Sequence, residues 1–159
     1  MSRAARLLEI ARAKGIVIAT AESCTGGMVS AAITDIAGSS AIFDRGFVTY
    51  TNDAKIAMLG VSSATLDAFG AVSEQVAEEM CRGALAHSNA NLAVSITGIA
   101  GPGGSDFKPE GRVCFGITNG TATKTETIEF GALGRDNVRQ AARDHALDLL
   151  LEAADSVLP

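Results

Sequence analysis

Apolar and polar positions follow two different periods along this chain of 159 residues. Segments with apolar residues three and four positions apart predict helices, and short continuous apolar runs predict buried strands. Predicted helices and predicted strands alternate through the first two-thirds of the chain. This order is typical of an α/β domain in which helices cover both faces of a largely parallel sheet.

The predicted elements have recognisable ends. Ser2 is placed to cap the first helix and Gly15 to end it, and Asn52 and Asp53 are placed to cap a short helix. Strands are predicted at 16–19, 43–50, 91–97, 112–118 and 121–130. The Asn119-Gly120 pair predicts a tight antiparallel hairpin between the last two. We therefore predict a single domain over residues 1–159, a three-layer α/β/α sandwich with a mixed, mostly parallel sheet and one late antiparallel hairpin.

Composition narrows the functional classes. The net charge is −5, aromatic residues make up 4% of the chain, and no run of Lys and Arg occurs, so a nucleic-acid partner is not expected. No apolar run reaches the length of a membrane span, and no signal peptide is visible, which favours a cytoplasmic protein without a membrane partner. The three cysteines lack C-x-x-C spacing and the two histidines stand apart, so neither a metal site nor a cofactor is expected.

A turn between a predicted strand and a predicted helix carries the first candidate chemistry. Residues 20–27, TAESCTGG, follow the apolar run at 16–19 and place Ser23 beside Cys24 and Thr25. Helix N-termini offer free N–H groups, so the turn could hold an oxyanion while Ser23 attacks an acyl carbon. Two alternatives stay open on these residues. Ser23 and Thr25 could simply cap the helix, and Cys24 could be the nucleophile.

Three further features could complete such a site. Lys55, if desolvated, could serve as the base with Tyr50 beside it, or it could be a solvated surface lysine. The glycine-rich loop at 98–105 follows a buried strand and fits neither a dinucleotide fingerprint nor a Walker A loop, so it is either a ligand contact or a flexible connection. Arg135 could bind a phosphate or begin a solvated helix, with Arg45 and Arg112 as competitors.

Five segments together resemble one known family. They are TAESCTGG at 20–27, TDIAGSS at 34–40, RGFVTY at 45–50, GAVSE at 70–74 and SITGIAGP at 95–102. In these segments the chain is similar to the CinA C-terminal domain family, the nicotinamide mononucleotide deamidases. The similarity covers residues 16 to about 145, and it is far more specific than any single motif.

The resemblance implies an amidohydrolase that acts on a small nucleotide. The reaction would convert nicotinamide mononucleotide to nicotinic acid mononucleotide and ammonia in pyridine nucleotide recycling, in a homodimer without a metal or cofactor. Ser23 would be the nucleophile, Lys55 its base and Tyr50 an assistant. Substrate contacts would come from the turn, the glycine loop and an arginine: Cys24, Thr25, Gly26, Thr97, Gly98 and Arg135. The alternative is a non-catalytic nucleotide-binding or scaffold module, linked to competence or DNA damage, that uses the same loops.

Overall fold

The computed structural model describes residues 1–105 and 107–157. Its six α-helices are α1 (Arg3–Lys14), α2 (Met28–Thr34), α3 (Asn52–Leu59), α4 (Ser63–Phe69), α5 (Glu74–Ala86) and α6 (Arg135–Ser156), and a short 3-10 helix lies at Ser39–Ala41. Its five strands are β1 (Ile18–Glu22), β2 (Phe43–Val48), β3 (Leu92–Gly98), β4 (Arg112–Thr118) and β5 (Thr123–Glu129). Residues 158 and 159, the end of the predicted domain, lie outside the described residues, as does residue 106, which follows the glycine-rich loop in the sequence.

The five strands form one mixed sheet in the order β2-β1-β3-β4-β5. β1 is parallel to both β2 and β3, whereas β4 is antiparallel to β3 and β5. Parallel neighbours need long crossovers, and these contain α2 between β1 and β2 and α3 to α5 between β2 and β3. The predicted α/β fold, with its parallel portion and its late hairpin, is confirmed.

Two helical layers cover the sheet and enclose its central strands. Helices α1, α2 and α6 pack together on one side, and α3, α4 and α5 pack together on the other. Each side has its own apolar cluster, so β1 is buried along its whole length. α5 approaches the sheet so closely that a Cβ at Gly116 would lie 2.6 Å from the Ala77 carbonyl oxygen. No described helix is both long enough and apolar enough to cross a membrane.

The predicted ends of α1 are confirmed, whereas the cap of α3, the bounds of β1 and the length of the β4–β5 turn differ from the prediction. Ser2 caps α1 and Gly15 ends it with a φ of +67°. α3 is capped by Thr51, whose Oγ1 accepts from the Ala54 N–H, rather than by the residues that follow it. β1 lies at 18–22 rather than 16–19, because its polar side chains are buried within the fold. The β4–β5 turn spans four residues, held by N–H groups that donate to the Asn119 side chain.

Candidate active site

The carboxyl ends of three parallel strands meet at one edge of the sheet. Glu22, the last residue of β1, lies in register with Val48 of β2 and Ile96 of β3. The segments that follow these strands therefore emerge side by side, as expected for ligand sites in open α/β sheets. The turn after β1 carries Ser23, and the segment after β2 leads into α3, which carries Lys55.

Ser23 and Lys55 form a hydrogen-bonded pair at this edge. Lys55 is 1% exposed, and its Nζ lies 3.0 Å from Ser23 Oγ, 3.0 Å from the Thr49 carbonyl oxygen and 3.4 Å from that of Tyr50. A neutral amine has two N–H groups and one lone pair. With the N–H groups on the two carbonyls, the lone pair is free to accept the Ser23 proton. Lys55 is therefore not a solvated surface lysine, and the pair can perform base-assisted nucleophilic attack.

Burial also lowers the pKa of Lys55. Desolvation lowers the pKa of Lys55 below its ordinary 10.5, and the nearby Cys24 sulfur opposes this more weakly. A lower pKa increases the fraction of neutral amine at a given pH. A general base needs that neutral form, so the environment of Lys55 favours base chemistry.

Cys24 lies in the apolar core rather than at the reactive edge. Its side chain is 5% exposed and packs in the cluster beneath α1, α2 and α6. Burial raises the pKa of the thiol to about 12, and the residue's own N–H group, Arg139 and Lys55 lower it only in part. The thiolate that a cysteine nucleophile requires is therefore disfavoured, and Ser23 is the better nucleophile of the two.

Glu22 is a functional candidate that the sequence reasoning missed. Its carboxylate is fully buried, yet it accepts six hydrogen bonds. The donors are the side chains of Thr20, Thr25 and Ser30 and the N–H groups of Gly27, Val29 and Ser30. The side chain of Glu22, and not that of Ser23, therefore accepts hydrogen bonds from the free backbone N–H groups at the start of α2. The sequence feature that could have indicated Glu22 is an acidic residue directly after an apolar run and directly before the turn.

The turn also contains two unused backbone donors. The Gly26 N–H donates to the Ser23 carbonyl at 3.1 Å, and the Gly27 N–H donates to Glu22. Within the described part of the chain, the N–H groups of Cys24 and Thr25 donate to no oxygen atom of the protein, and that of Cys24 interacts only with its own sulfur. These two amides follow Ser23 directly, so they are candidate donors to an oxyanion.

A cavity of about 320 Å³ reaches Tyr50, whose carbonyl contacts Lys55, although neither Ser23 nor Lys55 itself lines it. The glycine-rich loop after β3 forms much of its wall, together with Tyr50, Lys108 and Arg135. Arg135 donates from Nη2 to the Tyr50 hydroxyl at 2.8 Å and from Nη1 to the Gly101 carbonyl at 2.7 Å. The N–H groups of Ile99, Gly103 and Ser105 already donate within the protein. The two cationic side chains and the remaining loop N–H groups, such as those of Ala100 and Gly101, can bind a phosphate.

The structure places several predicted residues differently from the expectation. The carbonyl of Tyr50, rather than its hydroxyl, contacts Lys55, because the ring turns outward to Arg135. Thr97 is 1% exposed, and its hydroxyl donates to the Ala71 carbonyl at 2.8 Å. The Thr25 hydroxyl is likewise bonded to Glu22. Both threonines thus leave only backbone groups for a ligand. Of the two predicted glycine contacts, Gly98 lines the cavity and Gly26, in the turn after β1, does not.

The competing arginines are engaged elsewhere. Arg45 pairs with Asp44 at 2.8 Å, and Arg112 pairs with Glu129 at 2.6 Å. The arginine that does reach the turn is Arg139, which the sequence reasoning missed. It donates to the carbonyl oxygens of Cys24 and Thr25. The sequence could have indicated Arg139, because a residue one helical turn after Arg135 lies on the same face of the helix.

Two other features lie apart from this chemistry. A larger hollow of about 740 Å³ lies between the β4–β5 hairpin and the end of α6, and neither Ser23 nor Lys55 lines it. Among the described residues, no group of three His, Cys, Asp or Glu side chains is placed to hold a metal ion.

Known proteins share this fold and sequence. The sequence model of the CinA C-terminal domain family matches residues 1–154. The Escherichia coli K12 protein named nicotinamide-nucleotide amidohydrolase PncC is 52% identical over 140 residues, which cover 87% of this chain and 85% of that protein. A CinA-like protein of Chloroherpeton thalassium is 46% identical over 150 residues. These residues are 89% of this chain but only 36% of that relative, so the chain spans about a third of its length. The crystal structure of competence/damage inducible protein CihA from Agrobacterium tumefaciens has a TM-score of 0.92 and 48% identity, covering 97% of this chain and 94% of that one.

Proposed function

This chain belongs to the CinA C-terminal domain family, and we propose that it hydrolyses the carboxamide of nicotinamide mononucleotide to nicotinic acid mononucleotide and ammonia. The observation that carries the proposal is the buried contact of 3.0 Å between Lys55 Nζ and Ser23 Oγ. The name of the Escherichia coli relative, nicotinamide-nucleotide amidohydrolase, supports the substrate and the reaction. Ammonia release of this kind would return the pyridine ring to nucleotide recycling.

The proposed reaction has two halves. Neutral Lys55 accepts the Ser23 proton as Oγ attacks the carboxamide carbon, and the oxyanion lies against the N–H groups of Cys24 and Thr25. Protonated Lys55 then gives its proton to the leaving nitrogen, which departs as ammonia and leaves an ester on Ser23. A water molecule repeats the attack with Lys55 as base, and the acid product leaves.

The substrate would lie with its phosphate in the cavity that reaches Tyr50. Arg135, Lys108 and N–H groups of the glycine-rich loop supply the positive potential for that end. The pyridine ring would extend past Tyr50 toward Ser23, because the carbonyl of Tyr50 contacts Lys55 while its hydroxyl contacts Arg135. In this arrangement Tyr50 positions the substrate and the base, and it carries no proton itself.

Ammonia release from the purified full chain tests the proposal. Nicotinamide mononucleotide is the substrate, and the acid product is identified by chromatography. Turnover is expected for the wild type and for Ser62→Ala, a control in which the serine side chain makes no capping bond. Ser23→Ala is expected to lose turnover while its circular dichroism spectrum stays unchanged. Full turnover in Ser23→Ala would refute the nucleophile.

A substrate without phosphate tests the cavity separately. Nicotinamide riboside should show a raised KM, since Arg135 and Lys108 then lose their partner. If the folded wild type binds the nucleotide but releases no ammonia at any pH from 6 to about 10, the non-catalytic nucleotide-binding module replaces the amidohydrolase. The homodimer implied by the resemblance stays a prediction, to be measured by light scattering on the same sample.

A further inference from the structure

We infer that Arg139 is a positioning residue, which orients the backbone amides after Ser23 so that they can stabilise an oxyanion. The inference rests on the proposed function. In it, Arg139 acts on the reaction through backbone groups and does not contact the substrate. Arg139 is half-buried on α6. Its Nε lies 3.0 Å from the Cys24 carbonyl oxygen, and its Nη2 lies 3.4 Å from that of Thr25.

These contacts fix the direction of the peptide groups. Across a trans peptide, the carbonyl of one residue and the N–H of the next point in opposite directions. The Cys24 carbonyl faces Arg139, so the Thr25 N–H faces away from the guanidinium. The Ser23 carbonyl accepts from the Gly26 N–H at 3.1 Å, so the Cys24 N–H points outward from the turn. Arg139 thus orients the Thr25 N–H directly. Its contact with the Thr25 carbonyl directs the Gly26 N–H of the same peptide group to the Ser23 carbonyl, which in turn orients the Cys24 N–H.

The guanidinium also increases the donor strength of the Thr25 amide, whose peptide group contains the Cys24 carbonyl. A cation on a peptide carbonyl polarises the whole peptide group, so its N–H becomes a better donor. Arg139 packs closely enough that a Cβ at Gly26 would lie 3.3 Å from Nη2, which places the positive charge directly against the turn. A charge fixed before reaction lowers the barrier without reorganisation at the moment of attack.

Arg135, one turn earlier on the same helix, offers the natural contrast. It lines the cavity and contacts the Tyr50 hydroxyl, whereas Arg139 is not among the residues that line this cavity in the described part of the chain. A residue that binds the substrate equally in ground and transition states changes KM, and a residue that acts only on the oxyanion changes kcat. The two arginines should therefore show opposite kinetic signatures.

The experiment measures steady-state kinetics and serine labelling on the same variants. A neutral alkyl fluorophosphonate labels a nucleophilic serine: the Oγ–P bond forms, the P–F bond breaks, fluoride leaves, and the serine proton passes to Lys55. Negative charge develops on the phosphoryl oxygen, so the rate reports the oxyanion amides without a nucleotide. Labelling at Ser23 is followed by mass spectrometry, well below the unfolding temperature of every variant.

Arg139→Ala is expected to lower kcat and the labelling rate about 10- to 100-fold, with KM within about 3-fold of wild type. Arg139→Lys should recover part of the loss, because an ammonium can reach one carbonyl. Arg135→Ala should instead raise KM and leave labelling intact. Arg143→Ala is the matched control, since Arg143 lies one turn further along α6 and contacts Asp144.

Unchanged labelling in Arg139→Ala, or a raised KM with wild-type kcat, would overturn the inference. A drop in unfolding temperature alone would also overturn it in favour of a merely structural role. If wild type is labelled at Ser23 but releases no ammonia from nicotinamide mononucleotide, the proposed function fails while the labelling rates still decide the role of Arg139. If wild type shows neither labelling nor turnover, Ser23 is no nucleophile and both proposals fall.

Discussion

Replacing Glu22 by glutamine should destabilise this protein far more than its near-identical size suggests. Both carboxylate oxygens face backbone N–H groups: Oε1 accepts from Gly27 and Val29, and Oε2 accepts from Ser30. A backbone N–H can only donate. Whichever side the NH₂ group of glutamine occupies, it therefore meets a donor, and at least one buried N–H loses its acceptor.

The size of the effect follows from these contacts. Hydrogen bonds to charged groups contribute about 1.5–3 kcal/mol each, and Glu22→Gln removes or weakens at least two of them. The sum is about 3–6 kcal/mol, and the lower desolvation cost of a neutral amide offsets part of it. We expect the free energy of unfolding to fall by about 3 kcal/mol, a large share of the total of a typical domain. The unfolding temperature should fall by roughly 10 °C.

Urea unfolding followed by far-UV circular dichroism measures this change, since the chain has no tryptophan and one tyrosine. Glu74→Gln is the matched control. Its carboxylate accepts from the hydroxyls of Thr125 and Thr127 at 2.9 and 2.8 Å, and hydroxyls can reverse to accept from an amide. Glu74→Gln should cost less than about 1 kcal/mol. A loss below about 1 kcal/mol in Glu22→Gln would refute the reasoning.

Three further predictions concern the residues around Ser23. Lys55→Met should lower kcat about 100-fold or more. The pKa of Lys55 is lower in the folded protein than its ordinary 10.5, so between these two values the unfolded wild type binds more protons than the folded one. The free energy of unfolding of the wild type should therefore rise with pH in this window relative to that of Lys55→Met, as measured by urea titrations at several pH values. A relative fall with pH would contradict the buried lysine. Thr49→Val should keep or slightly raise the unfolding temperature in calorimetry, because the buried Thr49 hydroxyl has no partner in the described residues. Cys24 should react with iodoacetamide far more slowly at pH 8 than a free thiol, since burial raises the pKa of Cys24 to about 12; fast alkylation of the folded chain, located by mass spectrometry, would show that the thiol is accessible.

The position of Ser23 could be predicted from the sequence because it depends on local rules. An apolar run followed by small and polar residues predicts a strand that ends in a turn, and topology brings such turns to one edge of the sheet. The pairing with Lys55 could not be derived in this way, since the two residues are 32 positions apart. From the residues alone, Lys55 had two open interpretations, a desolvated base or a solvated surface lysine, and the resemblance favoured the first. The path of the chain between β1 and α3 decides between them.

Glu22 and Arg139 show where pattern reasoning fails. Period-two patterns assign polar strand residues to a solvent face, but β1 has helices on both sides and no solvent face along its length. The role of Glu22 therefore depends on donors that only the folded turn brings together. The cap of α3 fails for a different reason: Thr51, Asn52 and Asp53 are all good capping residues, and the backbone path alone selects Thr51.

In the proposed mechanism, two backbone carbonyls orient Lys55 much as a carboxylate orients a catalytic histidine. The three oxygen atoms around Nζ in the described part of the chain are Ser23 Oγ and the carbonyl oxygens of Thr49 and Tyr50, and all belong to neutral groups. A carboxylate in their place would stabilise the ammonium and raise the pKa of Lys55. Carbonyl dipoles direct the N–H groups without that full charge, so the effect of burial on the pKa persists. A buried lysine can therefore be both held in place and kept neutral, which is what a base for Ser23 requires.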